Sequence, residues 1–177
     1  MTNASMSRKE KRRLKALEKE KQRALQQDGK NIPVFVYGSL KTDLGNHVLL
    51  ERSKAIFVGY DTITGPFTMI SFRGFPGVIR EPNTQAPIQP VMGELWMVDA
   101  GCLVSLDMLE SHPNFYERFK YRTDVNDVDA WMYTLPASTV YMNRSVYPEV
   151  HPAIWRMNST EHAFFNEQGI DLGDCAA

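Results

Sequence analysis

From Ile32 onward, short apolar runs alternate with breaks rich in glycine and proline, a pattern typical of β-strands joined by turns. The first run, residues 34–37 (Val-Phe-Val-Tyr), is β-branched and aromatic and stops at Gly38. Short helices are predicted where apolar positions recur at helical spacing, over residues 44–52 and 101–110. Further strands are predicted over residues 55–63, 67–72, from 78, 91–98, 119–125 and 130–135, the last two as a hairpin. The sequence therefore predicts a strand-rich, mixed α+β domain.

Charge divides the chain into three predicted segments. Residues 1–30 carry ten Lys and Arg against four Asp and Glu, and Ser7 with Glu10 has the spacing of a helix capping box. We predict a basic arm here, helical or flexible, which either contacts a nucleic acid or protein or is only a solvated extension. Residues 31–145 form the predicted domain. Residues 146–177 form a predicted tail that packs on it and ends in a frayed acidic segment.

Several classes of protein are excluded because the sequence lacks their characteristic segments and motifs. No apolar run approaches the roughly 18 residues of a membrane span, and the basic N-terminus lacks the apolar stretch of a secretory signal. The two cysteines, Cys102 and Cys175, form no metal-binding pair, and the four histidines are scattered. Serine hydrolase and phosphate-binding signatures are also missing. We therefore expect a cytoplasmic protein that uses no metal and no cofactor.

The segment after the first strand is the first candidate for chemistry. A buried strand that breaks at Gly38 leaves the next backbone N–H groups without ladder partners. Such a turn can hold a carboxylate or a developing oxyanion, while Tyr37 can bring its phenol to the rim and Ser39 a hydroxyl. An ordinary structural turn is the alternative.

A carboxylate in an apolar position is the second candidate. At about 100° per residue, Leu103, Leu106 and Leu109 form one arc of the predicted helix, and Glu110 falls inside it. Burial there raises the pKa of a carboxyl toward neutrality, as a general acid/base requires. The alternative is a frayed helix end that turns Glu110 to water. Asp107 lies at the edge of the arc, and we interpret it as solvated or as a cap.

Two further side chains follow Glu110 closely. Tyr116 and Arg118 can line the same pocket, with an ordinary surface ion pair as the alternative role of Arg118.

Taken together, these segments resemble the gamma-glutamylcyclotransferase family, including its avirulence-induced-gene-like and gamma-glutamylamine cyclotransferase branches. The resemblance lies in residues 34–41 (VFVYGSLK), 93–96 (GELW), 106–110 (LDMLE), 116–118 (YER) and 130–133 (AWMY). It covers roughly residues 33–135. Neither the basic arm nor the tail is included in it.

The resemblance implies a barrel-like, curled sheet with short flanking helices. It also implies that Tyr37, Gly38, Ser39 and Leu40 bind substrate and that Glu110 is the general acid/base. Tyr116 joins the predicted substrate-binding residues. The family usually has glycine directly after this glutamate, where this chain has Ser111, so we expect the added β-carbon to narrow or reshape the pocket.

The reaction implied by the resemblance is intramolecular aminolysis. The free α-amine of a γ-glutamyl group attacks its own γ-carbonyl, closes 5-oxoproline and expels an amine or amino acid. This chemistry needs no metal and no covalent enzyme intermediate, because the nucleophile belongs to the substrate. The alternative is a non-catalytic binding module on the same fold that docks a protein or nucleic acid through the basic arm.

Overall fold

The structure is a computed structural model that describes residues 29–72, 74–80, 88–136, 138, 154–170 and 172. Nearly all of the predicted basic arm, residues 1–28, lies outside these residues. So do residues 139–153, which include the start of the predicted tail, and residues 171 and 173–177 at its predicted frayed acidic end. The predicted boundaries of arm, domain and tail therefore stay predictions. Within the described residues, no helix is long and apolar enough to cross a membrane.

Seven strands and three helices make up the described part of the chain. The strands are β1 (Ile32–Val36), β2 (Ile56–Gly65), β3 (Phe67–Phe72), β4 (Phe75–Arg80), β5 (Gln89–Val98), β6 (Glu117–Arg122) and β7 (Asp129–Thr134). The helices are α1 (Val48–Arg52), α2 (Ala100–Leu109) and α3 (Ser159–Glu167).

Five strands form one sheet in the order β2-β5-β1-β7-β6. All neighbours are antiparallel except β1 and β7, which run parallel with Val34 opposite Trp131. The β3–β4 hairpin forms a separate two-stranded sheet. It is joined to the residue after β7, because the N–H of Leu135 donates to the carbonyl of Val78 at 2.8 Å. The sheet is curled, and the mixed α+β fold predicted from the sequence is confirmed.

The central strand β1 is buried on both faces, as its continuous apolar sequence predicts. Val34 and Val36 pack in one core cluster with Leu106 of α2, while Phe35 and Tyr37 pack in a second cluster on the other face. Burying one such aliphatic or aromatic side chain contributes about 1.5–3 kcal/mol to folding. This packing fixes the end of β1, from which the candidate turn emerges.

The helices differ from the prediction at two places. The predicted helix over residues 44–52 is shorter, because Asp43 has a φ of 66° and the N–H of Asn46 donates to the carbonyl of Ser39 instead of extending the helix. Helix α3 was not predicted at all. Its start could have been found, because Asn158 caps the N–H of Glu161 with the three-residue spacing of a capping box.

Candidate active site

A cavity of about 390 Å³ opens where β1, β4, β7 and the end of α2 meet. All six side chains or backbone segments predicted to form the site line it, namely Tyr37, Gly38, Ser39, Leu40, Glu110 and Tyr116. The fold thus brings two segments that lie 70 residues apart in the chain to one cavity. Apolar neighbours complete the walls, among them Phe75 and Phe115.

The turn after β1 is closed by its own hydrogen bonds. The N–H of Lys41 donates to the carbonyl of Gly38, and that of Asn46 to the carbonyl of Ser39, both at 2.9 Å. The side-chain amide of Asn46 also donates to Ser39 Oγ at 2.8 Å. The N–H groups of Gly38, Ser39 and Leu40 themselves have no acceptor among the described residues. The turn therefore presents three amide donors beside the cavity, the arrangement suited to an anion.

Gly38 is required here by a close approach. A β-carbon at this position would lie 2.8 Å from Cγ of Pro76, which belongs to the rigid proline ring on β4. Because a real β-carbon does not come this close to another carbon, any other residue would push the turn away from β4.

The sequence predicted that Tyr37 brings its phenol to the rim of the site, and the structure places the phenol elsewhere. Its hydroxyl donates to the carbonyl of Tyr133 at 2.8 Å and accepts the N–H of Val78 at 3.2 Å. Burial raises the pKa of this phenol well above its ordinary value. Tyr116 is held in a similar way, since its hydroxyl donates to the carbonyl of Pro76 at 3.1 Å. Both phenols stabilise the walls of the cavity.

Glu110 lies at an ordered helix end, so the fraying alternative is wrong. It is the C-cap residue of α2, and Ser111 follows with a φ of 52°. The N–H of Ser111 donates to the carbonyl of Met108, and the N–H of His112 to the carbonyl of Asp107. This pair of bonds is a Schellman motif, in which the left-handed position favours glycine. This position therefore has a backbone reason to prefer glycine, and Ser111, which the chain has here, does not line the cavity.

Burial alone raises the pKa of Glu110 to about 7. Its carboxyl lies against the apolar walls of the cavity, and no cation contributes to the shift. A carboxyl with this pKa exchanges its proton readily near neutral pH, which is the property required of a general acid/base.

Asp107 is not a solvated residue, contrary to the prediction. Its Oδ1 accepts a hydrogen bond from the hydroxyl of Tyr133 at 2.7 Å, and its Oδ2 pairs with Arg118 at 3.2 Å. The guanidinium of Arg118 lies over the ring of Trp131, 4.7 Å from its centroid. Arg118 thus forms an ion pair with Asp107 and does not line the cavity.

Tyr133 and Asn46 are cavity residues that sequence reasoning missed. Tyr133 follows the alternation of β7 like any buried strand residue, so no local signal distinguished it. Asn46 precedes a short helix, where an amide is ordinary. Only the folded chain brings these two side chains to the turn. Within the described residues, no group of three or more histidine, cysteine or carboxylate side chains is arranged to hold a metal ion.

Comparison with known proteins gives matches in sequence and in fold. The sequence model of the family described as "Gamma-glutamyl cyclotransferase, AIG2-like" matches residues 34–156. A Methanocaldococcus jannaschii protein that carries the gamma-glutamylcyclotransferase name is 32% identical over 109 residues, which is 59% of this chain and 85% of the relative. The gamma-glutamylaminecyclotransferase of Bos taurus is 35% identical over 103 residues, which is 56% of this chain and 61% of the relative.

A solved structure shows the same fold. The crystal structure of an aig2-like protein from Mus musculus superposes with a TM-score of 0.56 at 22% identity and covers 72% of this chain and 97% of that one. The chain belongs to the gamma-glutamyl cyclotransferase, AIG2-like family and is an enzyme of that family.

Proposed function

We propose that the protein releases 5-oxoproline from a small γ-glutamyl amide by intramolecular aminolysis, with Glu110 as the general acid/base. The observation that carries this proposal is one carboxyl with a pKa of about 7 in a cavity that is also lined by Gly38, Ser39 and Leu40, whose backbone N–H groups have no acceptor among the described residues. The first group can move a proton, and the second can hold an anion. The family names of the relatives support a small γ-glutamyl substrate.

The proton inventory of the reaction requires one titrating group on the enzyme. Glu110, ionised, takes a proton from the α-ammonium of the substrate, and the freed amine attacks the γ-carbonyl carbon. The new C–N bond closes a five-membered ring, and negative charge develops on the carbonyl oxygen. As the old amide C–N bond breaks, the leaving nitrogen receives that proton from Glu110. The ionised Glu110 then takes the second proton of the ring nitrogen and releases it to water or to the departing amine. The products are 5-oxoproline and a free amine, with no change of oxidation state.

The turn would supply the anion site. The amides of Gly38, Ser39 and Leu40 are positioned before substrate arrives, because Lys41 and Asn46 already close the turn. Such preorganised donors stabilise charge without a reorganisation cost, and removing one donor of this kind slows a reaction by about 10²–10³-fold. The turn would hold the substrate carboxylate or the developing oxyanion. The apolar walls would lower the local dielectric and strengthen either interaction.

The rival function, a binding module that docks through the basic arm, draws no support from the described residues, since residues 1–28 lie outside them. Salt separates the two functions. Binding through the arm should weaken steeply with salt and vanish when residues 1–30 are deleted, whereas catalysis should survive that deletion.

The decisive experiment measures 5-oxoproline release from γ-glutamyl-alanine, γ-glutamyl-ε-lysine and glutathione. We expect Glu110→Gln, which keeps the shape and removes the titrating proton, to lower kcat by about 10²–10⁴-fold. Glu51→Gln is the matched control, because Glu51 is exposed on α1 and should retain full activity. Equal activity of Glu110→Gln and wild type would contradict the role of Glu110. No product from wild type on any substrate would contradict the proposed reaction.

A further inference from the structure

Helix α3 is tied to the substrate turn by a buried ion pair. Lys41 Nζ lies 2.7 Å from both carboxylate oxygens of Glu161, and each side chain is only 1% exposed. Lys41 directly follows the turn, whereas Glu161 lies 120 residues away on a helix beyond the family match at residues 34–156. The pair therefore connects the candidate active site to a part of the chain outside the matched region.

Lys41 does not reach the cavity, so it does not contact substrate there. Its neighbour Thr42 is anchored in the same way, because its N–H donates to both oxygens of the buried Glu94 carboxylate at 3.1 and 3.0 Å. That carboxylate also accepts the indole N–H of Trp96 at 2.9 Å. The two residues after the turn are thus held by two buried carboxylates, one from β5 and one from α3.

Stability alone gives a weak reason for this arrangement. Burial raises the pKa of the Glu161 carboxyl despite the cation beside it, so the loss of hydration outweighs the attraction of Lys41. Well-packed apolar residues often replace a buried ion pair with no loss of stability, but they lack its directional hydrogen bonds. The two hydrogen bonds from Lys41 to Glu161 instead fix the position of Lys41. Because Lys41 directly follows Leu40 in the chain, they also fix the position of the turn.

We propose that Glu161 is a positioning residue of the active site, which holds the amides of Gly38–Leu40 in place through Lys41. This inference rests on the proposed function, and on the first of the two roles given there to those amides, the binding of the substrate carboxylate. Helix α3 then contributes to substrate binding through the position of the turn, although it contributes no residue to the cavity lining.

The first test compares steady-state kinetics of 5-oxoproline release by wild type, Glu161→Gln, Glu161→Asp and Phe165→Leu. Glu161→Gln removes the ion-pair partner of Lys41. We expect KM to rise at least about tenfold with a smaller change in kcat, because misplaced binding groups weaken substrate binding. Glu161→Asp should recover part of this loss. Phe165→Leu is the matched control, because Phe165 is fully buried on the same helix in an apolar cluster and its side chain can form no ion pair or hydrogen bond with Lys41. It should lower Tm yet leave KM within about twofold.

A second variant keeps the test decisive if Glu161→Gln does not fold. Lys41→Met combined with Glu161→Leu removes both charges and keeps apolar volume, so it should fold with a Tm near that of wild type. We expect its KM to rise several-fold although its stability is kept. A wild-type KM in this variant, or an equal rise of KM in Phe165→Leu and Glu161→Gln at equal Tm, would overturn the proposal.

Hydrogen exchange separates this proposal from the proposed function. The backbone N–H groups of residues 41 and 46 close the turn, so their exchange rates report its opening without any substrate. We expect these rates to increase about tenfold in Glu161→Gln and to stay at the wild-type value in Phe165→Leu. If wild type releases no 5-oxoproline, the proposed reaction fails, and these rates alone decide the role of Glu161. Unchanged rates in Glu161→Gln would overturn it.

Discussion

The hydroxyl of Tyr133 donates a 2.7 Å hydrogen bond to the carboxylate of Asp107. The bond joins β7, where Tyr133 lines the cavity, to the last turn of α2. Because Asp107 precedes Glu110 by less than one helical turn, this bond helps to fix the point from which Glu110 enters the cavity.

Removing this bond should cost stability in a measurable way. We expect Tyr133→Phe to lower the free energy of unfolding by about 1–3 kcal/mol, since a hydrogen bond to a charged group is lost and a half-buried carboxylate loses a partner. Denaturant unfolding of Tyr133→Phe, Asp107→Asn and the double variant gives the coupling energy between the two residues. Additive losses would show that the hydroxyl and carboxylate do not interact in solution.

The pKa of Glu110 sets the pH dependence of the proposed reaction. As a base it must be ionised, so kcat/KM should rise about tenfold per pH unit below pH 7 and level off above it. Initial rates of 5-oxoproline release from pH 4.5 to 8.5 measure the midpoint. The same midpoint is expected in Glu51→Gln. A midpoint near the ordinary value of a glutamate, about 4.3, would mean that the cavity does not desolvate this carboxyl.

The same carboxyl should reduce stability as the pH rises. The pKa of Glu110 is higher in the folded state than in the unfolded state, so the folded protein binds more protons between pH 4.5 and 7. Its stabilising contribution is complete below this range and is lost as the pH rises through about 7.

Glu110→Gln should reverse this loss, because glutamine does not titrate. At pH 8 we expect the variant to be more stable than wild type by up to about 3 kcal/mol, and near pH 4.5 by much less. Thermal unfolding at the two pH values measures the difference. A stability difference that does not change with pH would contradict the raised pKa.

Ser111 should affect stability and not substrate choice. Its φ of 52° is costly for a residue with a β-carbon, so Ser111→Gly should stabilise the protein by about 1 kcal/mol. Lys54→Gly is a matched control, since Lys54 also has a φ of 52° in the turn after α1. Both variants should raise Tm and keep kcat/KM within about twofold. A change in KM for bulky substrates in Ser111→Gly alone would support the expectation that its side chain reshapes the pocket.

Local features of the sequence were enough to locate the turn and Glu110. The run of residues 34–37 ends at a glycine, and a glutamate on an apolar arc is conspicuous without any knowledge of the fold. The strands could also be predicted, because apolar runs and the turn residues between them are local features of the sequence. The family resemblance then joined the turn and the glutamate into one predicted site, and the structure places both of them around one cavity.

Long-range partners could not be predicted in this way. The Tyr37 phenol was expected at the rim because a strand end is ordinarily exposed, but the strands beside it bury the ring and accept its hydroxyl hydrogen. Asp107 looked solvated because its partner Tyr133 lies 26 residues away. No period or spacing indicates that Lys41 and Glu161 will meet, since pairing across 120 residues depends on the completed fold.

The donors that the turn presents to the cavity belong to the main chain, and this changes what mutagenesis can reveal. An alanine scan replaces the Ser39 hydroxyl and the Leu40 side chain but leaves both amides in place, so it would score these positions by packing and not by chemistry. Replacing the amide by an ester, through semisynthesis, removes the donor itself. Under the proposed function, the anion site would therefore tolerate substitution of the Ser39 side chain. It would not tolerate a change in the backbone conformation of the turn.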